Sequence, residues 1–274
     1  MPHTITSMAL FCDFENIALG VRDAKYAKFD IDRVLERLLL KGSIVVKKAY
    51  CDWDRYKEFK GPMHEASFEL IEIPHVRMSG KNSADIRLVV DALDLCYTKE
   101  HVDTFVIISG DSDFSPLVSK LRENNKTVIG VGVKSSTSDL LIANCDEFIF
   151  YDDLVRQDEK KRQRTRRKPA AKPSQTGADA PKAAKPEASE EERKQQAFDL
   201  VLDTIDALTE ERDQDDKIWG SMVKQTLKRR NPGFNESYFG FRTFSDLLQE
   251  AQSRKLLTLE PDQKSGGYII RRAS

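Results

Sequence analysis

The sequence predicts an α/β protein, with a parallel sheet sandwiched by helices and a small C-terminal winged-helix-type domain. Three observations carry this reading. From Met8 to about Asp152, apolar runs alternate with helical patterns, which argues for parallel βαβ units with right-handed crossovers. Val106, Ile107 and Ile108 follow one another without polar alternation, as in a strand buried on both faces. From about Glu192 helical periodicity returns and ends in two short apolar strands around "PDQKSGG", whose GG turn is a hairpin signal.

Taken in order, "MALFCD" reads as the first strand. "IDRVLERLLL" reads as a helix, with Asp30 or Asp32 near its start. "SIVVKKAYC" is a second strand, "WDRYKEFKGPMHEASF" a broken helix and "ELIEIPHV" a third strand. "SADIRLVVDALDLCY" is a helix, "TFVIISG" the fourth strand and "SPLVSKLREN" a helix. "KTVIGVGV", "STSDLLIANC" and "EFIFY" complete the set as strand, helix and short last strand. The first domain is therefore expected over 1–155. Arg156 to Lys168 holds eight basic and two acidic residues and is followed by "PAAKPSQTGADAPKAAKPEASEEE". With few large apolar side chains, 156–191 is expected to be a disordered linker, basic and then Pro/Ala-rich. "FDLVLDTIDAL", "IWGSMVKQTLKRR" and "YFGFRTFSDLLQEA" then give three helices, and "LLTLEPDQKSGGYIIRR" two strands, of a second domain over 192–274.

Composition agrees with two folded parts and a solvated link. The chain has 274 residues, 39% hydrophobic and 32% charged, on the polar side for one compact body. The net charge of −1 points to no partner by itself. Cys12, Cys51, Cys96 and Cys145 form no CxxC pair, so a reduced, cytoplasmic setting is expected. No stretch approaches the ~20 apolar residues of a membrane helix.

The chemistry-bearing pattern is acidic. "VIISGDSDF" ends a buried strand in Asp111 and Asp113, and one helix cap accounts for only one of them. "CDFEN" places Asp13 at the carboxyl end of the first strand. With strand order 3-2-1-4-5, strands 1 and 4 are neighbours, and ligands bind at this carboxyl edge where the order reverses. Asp85 opens the helix after "SGKNS", with Asp91 six residues on. Carboxylates brought together repel, and a hard divalent cation such as Mg²⁺ or Mn²⁺ relieves this. A cation so held is usual equipment for phosphodiester chemistry. Asp13 alone reads as a polar strand end; the set at three strand ends reads as a metal site. Glu15 is read as pointing away. "GVGVKSST" with Lys134, Ser135 and Ser136 is read as a strand and a capped helix, because a lone GxG does not make a phosphate loop. None of His3, His64, His75 and His101 is read as a ligand or base. The basic run at 156–168 fits phosphate contacts or a merely solvated linker.

"FCDFENI", "KNSADIRLVVDAL" and "ISGDSDFSPLV", with "DLLIANCDEFIFYDDL" after them, resemble the signature segments of the NYN domain. That family is similar to PIN and flap-nuclease domains and includes LabA-like proteins. The resemblance covers roughly residues 6 to 155. It implies a PIN-like fold and metal-dependent (endo)ribonuclease chemistry, with Asp13, Asp85, Asp111 and Asp113 as the metal cluster, Asn16 orienting the loop or substrate, and Asp91 in support. The region from Glu192 to Arg272, through "IWGSMVKQTLKRRNPGFNESYFGFRTFSDLLQEA" and "GGYIIRR", resembles the LOTUS or OST-HTH domain. This second resemblance implies RNA binding by a winged helix. Lys224, Lys228, Arg229 and Arg230 at one helix end, and Lys264, Arg271 and Arg272 by the wing, are the candidate RNA contacts; a solvated face on a protein–protein module is the competing reading.

Two other enzyme classes fit worse. A haloacid-dehalogenase phosphatase needs DxDx[TV] after strand 1, and "DFEN" has Glu at the third place. A response-regulator receiver wants nothing like "SGDSDF". The non-enzyme rival is an inactive RNA-binding or protein-interaction adaptor.

Overall fold

A computed structural model of the chain describes residues 6–73, 83–166, 190–210, 217–261 and 267–272. Its contacts divide it into two units, Met1–Val155 and Arg156–Ser274.

The first unit holds six parallel strands, β1 (Ser7–Asp13), β2 (Ser43–Cys51), β3 (Glu69–Glu72), β4 (Thr104–Ile108), β5 (Thr127–Gly132) and β6 (Glu147–Phe150), in the order β3-β2-β1-β4-β5-β6. The order reverses between β1 and β4, as expected. Because side chains alternate across a strand, β1 splits its apolar residues between two cores. Met8, Leu10 and Cys12 enter one with α1 (Phe14–Asp23), α2 (Ile31–Leu39) and α3 (Lys57–Glu65), whereas Ala9 and Phe11 enter the other with α4 (Ser83–Thr98), α5 (Ser115–Glu123) and α6 (Asp139–Asn144). Val106 and Ile108 of β4 side with the first core, Phe105 and Ile107 with the second. Burial on both faces is why these central strands read as unbroken apolar runs.

Three features depart from the sequence reading. Helix α1 follows β1 without a loop, capped by the Asp13 side chain; its apolar positions Phe14, Ile17 and Val21 are buried at helical spacing, but ten residues containing Gly20 give a weak pattern. The expected broken helix is continuous from Lys57 to Glu65, with Pro62 inside it. The last helix of this stretch, α7 (Tyr151–Arg166), seats Tyr151 and Leu154 in the first core and runs on through the basic segment expected to open the linker. Helical continuation from an anchored first turn adds one hydrogen bond per residue and needs no new nucleus. The rest of that linker, 167–189, lies outside the described residues.

In the second unit, α8 (Glu190–Glu210), α9 (Gly220–Arg230) and α10 (Phe244–Ser253) pack with an antiparallel sheet of β7 (Ile218–Trp219), β8 (Leu257–Pro261) and β9 (Tyr268–Arg272), ordered β7-β9-β8. Phe198, Val201, Ile205, Val223, Leu227, Leu247, Leu248 and Ile270 form its core. A reciprocal capping box between Thr243 and Asp246 starts α10, a motif whose loss costs about 1 kcal/mol. Gly240, at φ +91°, makes the turn before α10 in a region that disfavours side chains. The expected three helices and two strands are present; β7 is an added strand, cut from the residues expected to begin α9.

Candidate active site

The site is built where β1 and β4 end side by side. Cys12 of β1 pairs with Ile108 of β4, so Asp13 and the residues after Ile108 emerge together. Asp13 is buried and both of its oxygens are held: Oδ1 accepts the Asn16 amide at 3.3 Å and Oδ2 the Ser109 hydroxyl at 3.0 Å. The Ser109 oxygen in turn accepts the Asp111 amide at 3.2 Å. Asn16 reaches across with its side-chain oxygen to accept the Gly110 amide at 2.9 Å. This bond ties the β4 loop to α1. A Cβ on Gly110 would stand 2.5 Å from the Ser136 carbonyl, so only glycine lets this loop lie against the β5–α6 connection. Asp111 caps the short turn Ser112–Phe114 by accepting the Asp113 amide at 3.0 Å.

A cavity of about 210 Å³ opens at this edge. Asp13, Glu15, Asn16, Asp52, Asp85 and Asp111 supply its polar lining, Tyr50 and Cys51 part of the rest; among the described residues no lysine or arginine lines it. Asp85 arrives from the first turn of α4. The electrostatics follow. Burial, then the charge of Asp85, pushes the Asp13 carboxyl up from 3.8 to about 7, and the hydrogen bonds from Asn16 and Ser109 only partly offset this. Burial and the charges of Asp111, Asp113 and Glu15 raise Asp85 as well. Among the described residues the lining thus concentrates negative charge, offset at Glu15 by Arg55. Burial also raises the thiol of Cys51, which leaves it protonated and a poor ligand.

The expected residues are not all equivalent. Asp13, Asn16, Asp85 and Asp111 line the cavity, whereas Asp113 is exposed outside that lining and reaches the group only through its effect on Asp85. Glu15, expected to point away, lines the cavity and pairs with Arg55 at 3.0 Å; α1 turns it inward two residues after Asp13. Asp91 is a supporting group: its carboxylate accepts from Lys48 at 3.2 Å, Tyr50 at 2.9 Å and Arg87 at 3.0 Å. Burial alone would raise it, but the Tyr50 and Lys48 hydrogen bonds and the flanking cations hold it below the usual carboxylate range. By tying α4 to β2, it fixes the helix that carries Asp85.

Whether a divalent cation fits can be judged on the donor set. The polar lining is mostly hard oxygen and, among the described residues, net negative, which suits Mg²⁺ or Mn²⁺. Among the described residues, no three His, Cys, Asp or Glu groups stand close enough to enclose an ion as they are. The aspartates are electrostatic neighbours and not a closed ligand set.

The six-stranded parallel sheet flanked by helices is consistent with a PIN-like α/β fold. Residues 7–152 match the NYN domain, and the chain belongs to that family. The chain is 26% identical over 155 residues to the meiosis regulator and mRNA stability factor 1 of Xenopus tropicalis, covering 57% of this chain and 9% of that protein. It is 28% identical over 141 residues to an uncharacterised protein of Methanocaldococcus jannaschii, covering 50% of this chain and 54% of that one. The chain thus spans about half of one relative and about a tenth of the other. A crystal structure of a protein of unknown function from Vibrio parahaemolyticus matches with a TM-score of 0.50 and 27% identity, over 56% of this chain and 98% of that chain.

The candidate RNA contacts of the second unit are largely committed elsewhere. Lys224 pairs with Glu236 at 2.8 Å, Arg271 with Glu260 at 3.8 Å and Arg272 with Asp206. Arg230 donates to the Asp203 carbonyl at 3.3 Å. Lys228 and the exposed Arg229 stay at the end of α9, while Lys264 lies outside the described residues. Among the described residues no helix is long and apolar enough to cross a membrane.

Proposed function

We propose that the NYN unit is a metal-dependent ribonuclease. The observation that carries this reading is the carboxylate-rich pocket at the β1–β4 carboxyl edge, with Asp13, Asp85 and Asp111 around one cavity. Asp13, Asp85 and Asp111 would hold Mg²⁺ or Mn²⁺, with Asp113 adding charge from the rim. Bound there, the cation supplies an activated water and neutralises charge on the phosphodiester. The chain's own part is positional. Ser109 and the Asn16 amide fix both oxygens of Asp13, the Asn16 side chain fixes the Gly110 loop, and Asp91 fixes α4. RNA as substrate is supported by the family and by the relative named as an mRNA stability factor.

The second unit is proposed to be a LOTUS-type winged helix that recruits RNA through the end of α9, where Lys228 and Arg229 are the contacts best placed after the ion pairs are set aside. Four buried thiols suit a reducing, cytoplasmic setting. The competing reading is an adaptor that binds RNA or protein without cutting, and the open arrangement of the aspartates favours it. Incubating the full chain with labelled RNA pools decides between them. Cleavage with Mg²⁺ or Mn²⁺ that stops with chelator is expected; intact RNA under every metal condition supports the adaptor.

A further inference from the structure

Helix α4 carries more than Asp85. Its buried face, Leu88, Ala92 and Cys96, packs into the second core. Ile86, Val90 and Tyr97 are large apolar side chains on the same helix that remain 63%, 55% and 62% exposed. At 3.6 residues per turn, Ile86, Val90, Leu93 and Tyr97 lie on one stripe about 60° wide. Leu93 is partly buried against the core at the stripe's edge. A continuous exposed stripe of this kind marks an interaction surface more than a solvated face.

The flanking charges identify the partner. Arg87 and Asp94 both sit on one side of the stripe, about 80–100° from Ile86 on the helical wheel. Arg87 spends its Nε–H on Asp91 and keeps a side chain that is 58% exposed. Asp94 is exposed and makes no ion pair among the described residues. If two copies of α4 pack antiparallel, Ile86 faces Tyr97 of the other copy and Val90 faces Leu93. A two-fold axis then leaves the charged sides of both helices on the same side of the seam. Arg87 comes to within about 3 Å, along the axis, of Asp94 of the second copy. The pairing occurs twice, as a self-complementary interface requires. In a parallel pair the two-fold runs along the seam and puts the two charged sides on opposite sides of it, so Arg87 and Asp94 would find no partner across it.

We infer that the exposed stripe of α4 docks a second copy of this chain in antiparallel register, clamped by two Arg87–Asp94 pairs. A 16-residue helix is about 24 Å long, so the seam is at the small end of specific interfaces and the dimer is concentration-dependent. Asp85 lies near the start of the helix, so the two acidic pockets end at opposite ends of the seam, their Asp85 positions about 20 Å apart along it. This inference is independent of whether the pocket cleaves RNA.

Sedimentation equilibrium on the full chain tests it. The expected result is a monomer–dimer equilibrium that Val90→Glu shifts to monomer. Asp94→Arg alone and Arg87→Glu alone should each sediment as monomers, because each sets like charges together twice. An equimolar mixture of those two chains should regain the dimer, because each unlike pair is then restored; this mixture also shows that both variants are folded. A parent chain that stays monomeric up to hundreds of micromolar overturns the inference and leaves the stripe to another part of the same chain. A dimer that survives Val90→Glu, or two variants that fail to recombine while keeping native circular dichroism, overturns it equally.

Discussion

The acidic pocket of the NYN unit and the C-terminal unit treat their acids in opposite ways. In the NYN pocket, burial and the charge of Asp85 raise Asp13, and burial with the charges of Asp111, Asp113 and Glu15 raises Asp85. In the C-terminal unit, burial pushes Glu236 and Glu250 in the same direction, but the Lys224 ammonium 2.8 Å from Glu236, and hydrogen bonds from Arg254 and Lys194 to Glu250, more than reverse it and both carboxyls are lowered. A paired acid is part of a scaffold. An acid pushed up beside another acid is a cost to folding, and such groups gather where a ligand is to supply the missing charge.

The sharpest way to break this contrast is at the site. Asp111→Asn with Asp113→Asn should lower metal-dependent RNA cleavage by about 100-fold or more, since even outer-shell changes at metal sites cost about 10–100-fold. The circular dichroism of the double variant should be unchanged. Parental cleavage rates would remove these residues from the chemistry.

Neutralising one acid in each unit should move stability in opposite directions. Glu236→Gln should destabilise the C-terminal unit by about 1 kcal/mol at neutral pH, near the upper value for an ion pair with one partner exposed to solvent. Because the Glu236 carboxyl is lowered in the folded state, its contribution is present above the ordinary glutamate value of 4.5 and is lost as pH falls through the lower folded value. The difference between parent and variant should therefore shrink in acid. Asp13→Asn keeps a capping side chain but removes the repelled charge. Without metal it should raise the melting temperature of the NYN unit by a few degrees, about 1 kcal/mol being worth about 2–4 °C at this size. Hydrogen exchange, read unit by unit, measures both. The same sign in both units would dissolve the contrast.

The smallest expected effect concerns RNA recruitment. Reversing Lys228 and Arg229 should weaken RNA binding and reduce the salt slope by about one for each phosphate no longer neutralised. Arg272→Ala should mainly loosen the Asp206 pairing and leave the slope alone. Fluorescence anisotropy at two salt concentrations separates the two. A slope indifferent to Lys228 and Arg229 would favour a protein-binding module.

What the sequence made legible was whatever local pattern encodes. The unbroken run Val106–Ile108 reported a doubly covered strand, and Asp13 and Asp111 at strand ends reported the carboxyl edge, because sheet topology alone brings these ends together. What it hid depends on partners distant in the chain. Nothing near Lys224 or Arg272 announces Glu236 or Asp206, so a row of cations looked free that is mostly paired. Glu15 was hidden for a related reason: its direction depends on α1 starting immediately after Asp13, and Gly20 and the shortness of α1 weaken that signal. The helical reach of α7 into the basic segment reflects its first turn, anchored by Tyr151 and Leu154, against a composition that on its own reads as linker.

The proposal stands on the pocket's negative charge receiving a divalent cation. Isothermal titration of the metal-free chain with Mn²⁺, beside the Asp13→Asn, Asp85→Asn and Asp111→Asn variants, tests it directly. The account predicts saturable binding of Mn²⁺ to the parent chain, accompanied by a rise in melting temperature, and weakened or absent binding in each of the three variants. Binding that is absent from the parent at millimolar Mn²⁺, or that survives unchanged in all three variants, would contradict it.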